Sequence, residues 1–159
     1  MALAFRNLII TPDAPVSEWP TEAVQIALER GDLADWQRIV AEIGTDPWGK
    51  TARQVEEVLS HSRPYGIADA METAVSRARA RAEATERAAV AADIREAVQR
   101  SGVSRAEFAS WIGTSASRLS TYASGKVTPS AALMFRIHRV AGRRPTGEPQ
   151  SPRPPTGGR

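Results

Sequence analysis

An all-α fold is what this sequence predicts: a small N-terminal helical domain, a long connecting helix, a C-terminal domain of short helices and a disordered tail. Two observations carry the prediction. Residues 67–100 contain neither glycine nor proline across 34 positions and are dominated by alanine, arginine and glutamate, all strong helix formers. On either side of this stretch, apolar residues recur at helical spacing between caps and stops made of serine, aspartate, proline and glycine. Boundaries follow at 1–66, 67–89, 90–141 and 142–159.

The first residues give weak signals. F-R-N-L-I-I reads as a short strand or an extended arm, and T-P-D-A-P as a loop. Trp19-Pro20 leads a helix with the proline in its first turn and Val24, Ala27 and Leu28 on one face. Gly31 ends it and Asp32 caps the next. There Leu33, Trp36, Ile39, Val40 and Ile43 form the predicted inner face, and Gly44 is the stop. Asp46-Pro47 opens a third helix with Trp48, Ala52, Val55, Val58 and Leu59 as its apolar face, broken by R-P-Y-G. Ile67, Met71, Ala74 and Val75, at the start of the connecting helix, complete a small core. Trp19, Trp36 and Trp48 are assigned to that core rather than to a ligand-stacking site.

Read as one helix, 67–100 is roughly 50 Å long at ~1.5 Å per residue; a break near Ala88 is the alternative. Its middle, S-R-A-R-A-R-A-E-A-T-E-R, puts charge on every face, so it is expected to be solvated, and Arg77, Arg79 and Arg81 are assigned to that face rather than to phosphates.

Residues 90–100 form the next predicted helix, with Val90, Ile94, Ala97 and Val98 facing inward and Gly102 ending it. Across 103–129, V-S-R-A-E-F-A-S-W-I-G-T-S-A-S-R-L-S-T-Y-A-S-G-K-V-T-P reads as two short helices joined by a tight turn, then a loop. Ser104 with Glu107 three residues on makes a capping box. Phe108, Ala109 and Ile112 share a face, and Gly113 ends the helix where a positive φ is needed. Thr114 is placed as the cap of the following helix, with Leu119 and Tyr122 on its inner face; Gly125 closes it. Pro129-Ser130 starts the last helix, whose inner face is Leu133, Ile137 and Val140, with Phe135 contributing.

This stretch resembles the Cro/repressor-type (Xre) helix-turn-helix DNA-binding family. The matching residues are Ser104, Arg105, Phe108, Ala109, Ile112-Gly113, Ser115, Ser117, Leu119, Ser120, Gly125-Lys126 and Pro129, an ungapped agreement of small, apolar and glycine positions within 90–141, about a third of the chain. The resemblance implies a DNA-binding module whose second helix, 115–123, enters the major groove. The family usually carries one more helix, often used to dimerise, where this chain begins its tail; the resemblance thus moves any dimer contact to the N-terminal region or the long helix. W-P-x-E-A, A-L-E-R-G-x-L-x-D-W, D-P-W-G and R-P-Y-G further resemble the N-terminal region of actinobacterial helix-turn-helix proteins with an extra helical domain, some of them partners of nucleotidyltransferase-like toxins.

Charge is unevenly distributed. Residues 1–66 hold 6 basic and 10 acidic groups, 67–100 hold 6 and 6, 101–141 hold 5 and 1, and 142–159 hold 4 and 1. Positive charge therefore sits on the helix-turn-helix and the tail, as phosphate binding requires. The tail, rich in proline, glycine and arginine, builds no core. With no cysteine there are neither disulfides nor thiolate metal sites, and no apolar run approaches a membrane span. Residues 1–10 do not read as a signal peptide. A cytoplasmic protein with no membrane association is the expectation.

An enzyme is not expected, nor a cofactor or metal. His61, at a helix end, and His138, on a helix surface, have no metal-ligand spacing, Glu56 and Glu57 point to different helix faces, and no phosphate loop or nucleophile motif is present. The predicted partners are double-stranded DNA, a second copy of the chain in a homodimer, and a protein such as a toxin at the acidic N-terminal domain. Base contacts are assigned to Ser115, Ala116, Ser117, Ser120 and Thr121, whose hydroxyls and methyl groups suit several base edges. Phosphate contacts are assigned to Arg105, Arg118 and Lys126. Trp111 fills a slot that is polar in the resembled family, so it is expected to pack on the long helix, the N-terminal domain or a partner.

Overall fold

The computed structural model describes residues 3–6 and 8–142. All regular structure among them is helical: a 3-10 turn at Val16–Glu18, then α1 (Thr21–Arg30), α2 (Leu33–Thr45), α3 (Lys50–His61), α4 (Ala68–Ser101), α5 (Arg105–Ile112), α6 (Ala116–Ala123) and α7 (Ala131–Ala141). No helix among the described residues is long and apolar enough to cross a membrane. The helix α4 runs through Ala88 without a break. The chain divides into two compact units, Met1–Thr85 and Glu86–Arg159, and α4 contributes to each. The tail assigned to 142–159 lies, beyond Gly142, outside the described residues.

Trp19 organises the first unit. It is wholly buried, its indole N–H donates to the Ala14 carbonyl at 3.0 Å, and the Phe5 ring meets it edge-on with centroids 5.0 Å apart. The Arg38 guanidinium lies 5.0 Å from the same ring and donates to the carbonyls of Pro12 and Ala14 at 2.7 and 2.8 Å. These contacts fasten the N-terminal arm, which forms no strand among its described residues; Leu3, Phe5, Leu8 and Ile10 pack against the core. Around Trp19 gather Val24, Ala27 and Leu28 of α1, Ile39 and Ile43 of α2, Ala52, Val55 and Val58 of α3, and Ile67, Met71, Val75 and Ala78 beside or within α4. Fully burying such apolar side chains stabilises a fold by ~1.5–3 kcal/mol each.

Several expectations need correction here. In α2 only Ile39 and Ile43 are buried; Trp36 is half-buried, its N–H donating to Ala27 O at 2.9 Å, while Leu33 is 65% and Val40 37% exposed. The core admits one side of this helix and its apolar stripe is wider than that. Gly44 does not stop α2, which continues to Thr45. Trp48 precedes α3, whose cap is Gly49, so it does not join the helix's inner face and stays 44% exposed. Arg79 is no solvated charge: its guanidinium grips Glu56 with two bonds, 2.6 and 3.0 Å, and donates to Pro47 O at 3.0 Å.

In the second unit, Ile94 and Ala97 of α4, Phe108, Ala109 and Ile112 of α5, Leu119 and Tyr122 of α6, and Leu133, Ile137 and Val140 of α7 form one core. Phe135 departs from the expectation; it is 70% exposed, because the α7 stripe facing the core is completed by Leu133, Ile137 and Val140.

Candidate nucleic-acid interface

The helix α5 starts where the sequence places it. The Ser104 Oγ accepts the Glu107 N–H at 3.3 Å, and the Glu107 carboxylate accepts the Ser104 hydroxyl at 2.8 Å and its backbone N–H at 3.0 Å. The Ser104 hydroxyl first, then its backbone N–H, hold the Glu107 carboxyl below its ordinary pKa. At the other end Gly113 takes φ 75° and ψ 40°, the left-handed geometry that lets the chain turn sharply into α6. A Cβ there would come within 3.0 Å of the Arg136 guanidinium, which donates to Ile112 O at 2.9 Å and so ties α7 to the end of α5.

The cap of α6 is Ser115, not Thr114: its Oγ accepts the Arg118 N–H at 3.2 Å. Two neighbouring hydroxyls can both cap in principle, and the turn after Gly113 leaves Ser115 in the extended conformation that an N-cap requires. Leu119, Tyr122 and Ala123 face the core. Helical periodicity then turns Ser117, Ser120 and Thr121 away from that face, whereas Ala116, three residues before Leu119 and seven before Ala123, lies along the core-side stripe in the first turn. Ala116, Ser117 and Ser120 are exposed, as is Ser115 at the helix start. Thr121 is half-buried and its hydroxyl donates to Arg118 O at 2.7 Å, which leaves its oxygen as an acceptor and its methyl group as a contact.

The side chains assigned to phosphates come from three segments of the second unit. Arg105 is the first residue of α5, Arg118 lies on the flank of α6, and Lys126 follows the Gly125 turn; all three are exposed, and among the described residues none is in an ion pair. An exposed cation without a carboxylate partner is available to an anion. Trp111 is 51% exposed, so about half of its surface is left open.

Two side chains that matter here were not singled out from the sequence. Arg95 of α4 donates to Ala123 O at 2.5 Å, placing a cation on the C-terminal carbonyls of α6. Arg136 does the same for α5. Both contacts join residues more than twenty positions apart. The local signal was a long basic side chain within a helix, which is indistinguishable from a solvated surface charge until its neighbours are known. Between Ser115 and Arg95, α6 is held at both ends while its outer row makes no contribution to the core. His138, expected on the α7 surface, is half-exposed and meets Asp93 of α4 at 3.1 Å.

Comparison of the chain with protein-family models, with curated proteins and with solved structures found no match.

Proposed function

We propose that the chain is a sequence-specific DNA-binding regulator, a repressor, that lays α6 in the major groove. The observation that carries this reading is the outer side of α6: exposed Ser115, Ser117 and Ser120 with half-buried Thr121, an uncharged set of hydroxyls on a helix anchored at both ends, with the exposed, unpaired Arg118 on the same helix. A helix fits the ~12 Å wide major groove, where hydroxyls bond to base edges and a methyl group meets the thymine methyl. Ser115, Ala116, Ser117, Ser120 and Thr121 face the bases in this arrangement, and Arg105, Arg118 and Lys126 hold phosphates. None of the five base-facing residues is a bidentate reader, so discrimination per half-site is modest and is supplemented by DNA shape and by a second copy on a repeated half-site. Such a regulator works in the cytoplasm.

Replacing Ser117 and Ser120 by alanine should weaken the preferred duplex more than a random one; an equal loss on both would remove the base-reading role. Replacing Arg118 by alanine should reduce the salt slope of binding by about one, and an unchanged slope would remove Arg118 from the phosphate contacts.

The acidic surplus of residues 1–66 favours a second, compatible reading, in which the first unit binds a protein partner such as a toxin and the second represses their common operon. A nucleotidyltransferase-like gene beside this one would favour it.

A further inference from the structure

We infer that the outward face of α2 is a self-association surface, on which a second copy of this chain docks its own α2 antiparallel. Residues 33, 37, 40 and 44 follow one another at steps of four, three and four, so Leu33, Gln37, Val40 and Gly44 share one side of the helix. All four are exposed. The usual arrangement of a surface helix is reversed: the three charged residues of α2, Asp35, Arg38 and Glu42, are partly buried, and the exposed row carries no charge.

Gly44 is the second, independent observation. It is the next-to-last residue of α2, where glycine is still a poorer helix former than alanine. Nothing among the described residues requires it, because a Cβ built there meets no atom within 4 Å and its φ is not in the left-handed range. A missing side chain over open space is explained by close approach of another backbone or of a large side chain from outside.

The row is complementary to itself. Set antiparallel about a two-fold axis, position 33 of one copy faces position 44 of the other, and 37 faces 40. Leu33, the most exposed apolar side chain of the row, then fills the space over Gly44, and this happens at both ends because the contact is isologous. Charge selects the same occupant. A basic partner drawn to the acidic N-terminal unit would find none of its carboxylates on this row, whereas a second copy presents an equally uncharged one. A face ~20 Å long and ~10 Å wide is smaller than the ~800 Å² per partner of a standard stable interface, so the pairing is weak and reversible.

Sedimentation equilibrium of the full chain without DNA tests this, and its result stands apart from the DNA-binding reading. The chain should show a reversible monomer–dimer equilibrium in the micromolar range. Val40→Glu should weaken it at least tenfold with helicity by circular dichroism unchanged. Leu33→Ala leaves a gap and Gly44→Leu sets two leucines against each other, so each alone should weaken the dimer. Combined in one chain they restore a large residue opposite a small one, and the double variant should return to within about threefold of the parent. A chain that stays monomeric across that range, Val40→Glu dimerising like the parent, or a double variant no better than the worse single one would each overturn the inference.

Discussion

Helices α2 and α6 both turn an uncharged row away from their cores, and the two rows are made of different chemistry. The α6 row is serine and threonine; the α2 row is leucine, glutamine, valine and glycine. Hydroxyls stay hydrated until a polar surface replaces the water, so a row of them suits a wet, hydrogen-bonding groove. Leucine over an empty glycine position gains from leaving water altogether and suits a dry contact. Hydrophobic patterning alone makes α2 and α6 about equally amphipathic. What separates their roles is which side chains the cores leave uncovered.

The largest test of the contrast is to damage one core at a time. Phe108 and Ile39 are both wholly buried, in different units. Phe108→Ala should destabilise the second unit by ~3–5 kcal/mol and Ile39→Ala the first by ~2–5 kcal/mol, measured by urea unfolding. Phe108→Ala should abolish DNA binding, and Ile39→Ala should abolish self-association. A variant that removed the other unit's activity would merge the two roles that the comparison separates.

One substitution made at two glycines should give opposite signs. Gly113→Ala forces a side chain into a left-handed residue and against the Arg136 guanidinium, a loss of roughly 1–2 kcal/mol. Gly44→Ala, examined in the Val40→Glu background so that pairing does not intervene, adds a helix former over open space and should stabilise by up to ~1 kcal/mol. Thermal unfolding of the two variants checks this; destabilisation by Gly44→Ala would mean that the glycine serves the fold after all.

The smallest effect concerns acid. The Ser104 hydroxyl and backbone hold Glu107 ionised to lower pH than in the unfolded chain. Its contribution is therefore fully present above the ordinary carboxylate range and is lost as pH falls through the depressed value. Urea midpoints across that range should fall less steeply in Glu107→Gln than in the parent, and an identical pH profile would show that the capping box does not titrate with the fold.

Most parts of this molecule that are local in sequence are legible there; the α6 cap, assigned to Thr114 and made by Ser115, is an exception. The Ser104–Glu107 capping box, the left-handed Gly113 and the inner faces of α5 and α6 depend on residues within a turn or two, and the sequence reading matches the structure at each. Where neighbours from elsewhere decide the outcome, the reading failed. Periodicity detects the apolar stripe of α2 but not that the core covers Ile39 and Ile43 and leaves Leu33 and Val40 in water. Phe135 departs from expectation for the same reason, and Trp48 because α3 begins two residues after it. Arg79, Arg95 and Arg136 look like solvent charges in sequence and turn out to bind Glu56 and the carbonyls of Ala123 and Ile112. Of the candidate interface, the hydroxyl row and the flanking cations could be assigned from the pattern of α6; the anchoring that orients α6 could not.

Binding to the duplex upstream of the chain's own gene, measured beside a random duplex at one fixed salt concentration, tests the central claim most directly. A preference of about a thousandfold or more is the result expected of a specific regulator reading through α6. Equal, weak binding to both would contradict it and leave α6 and its neighbouring cations as a non-specific surface.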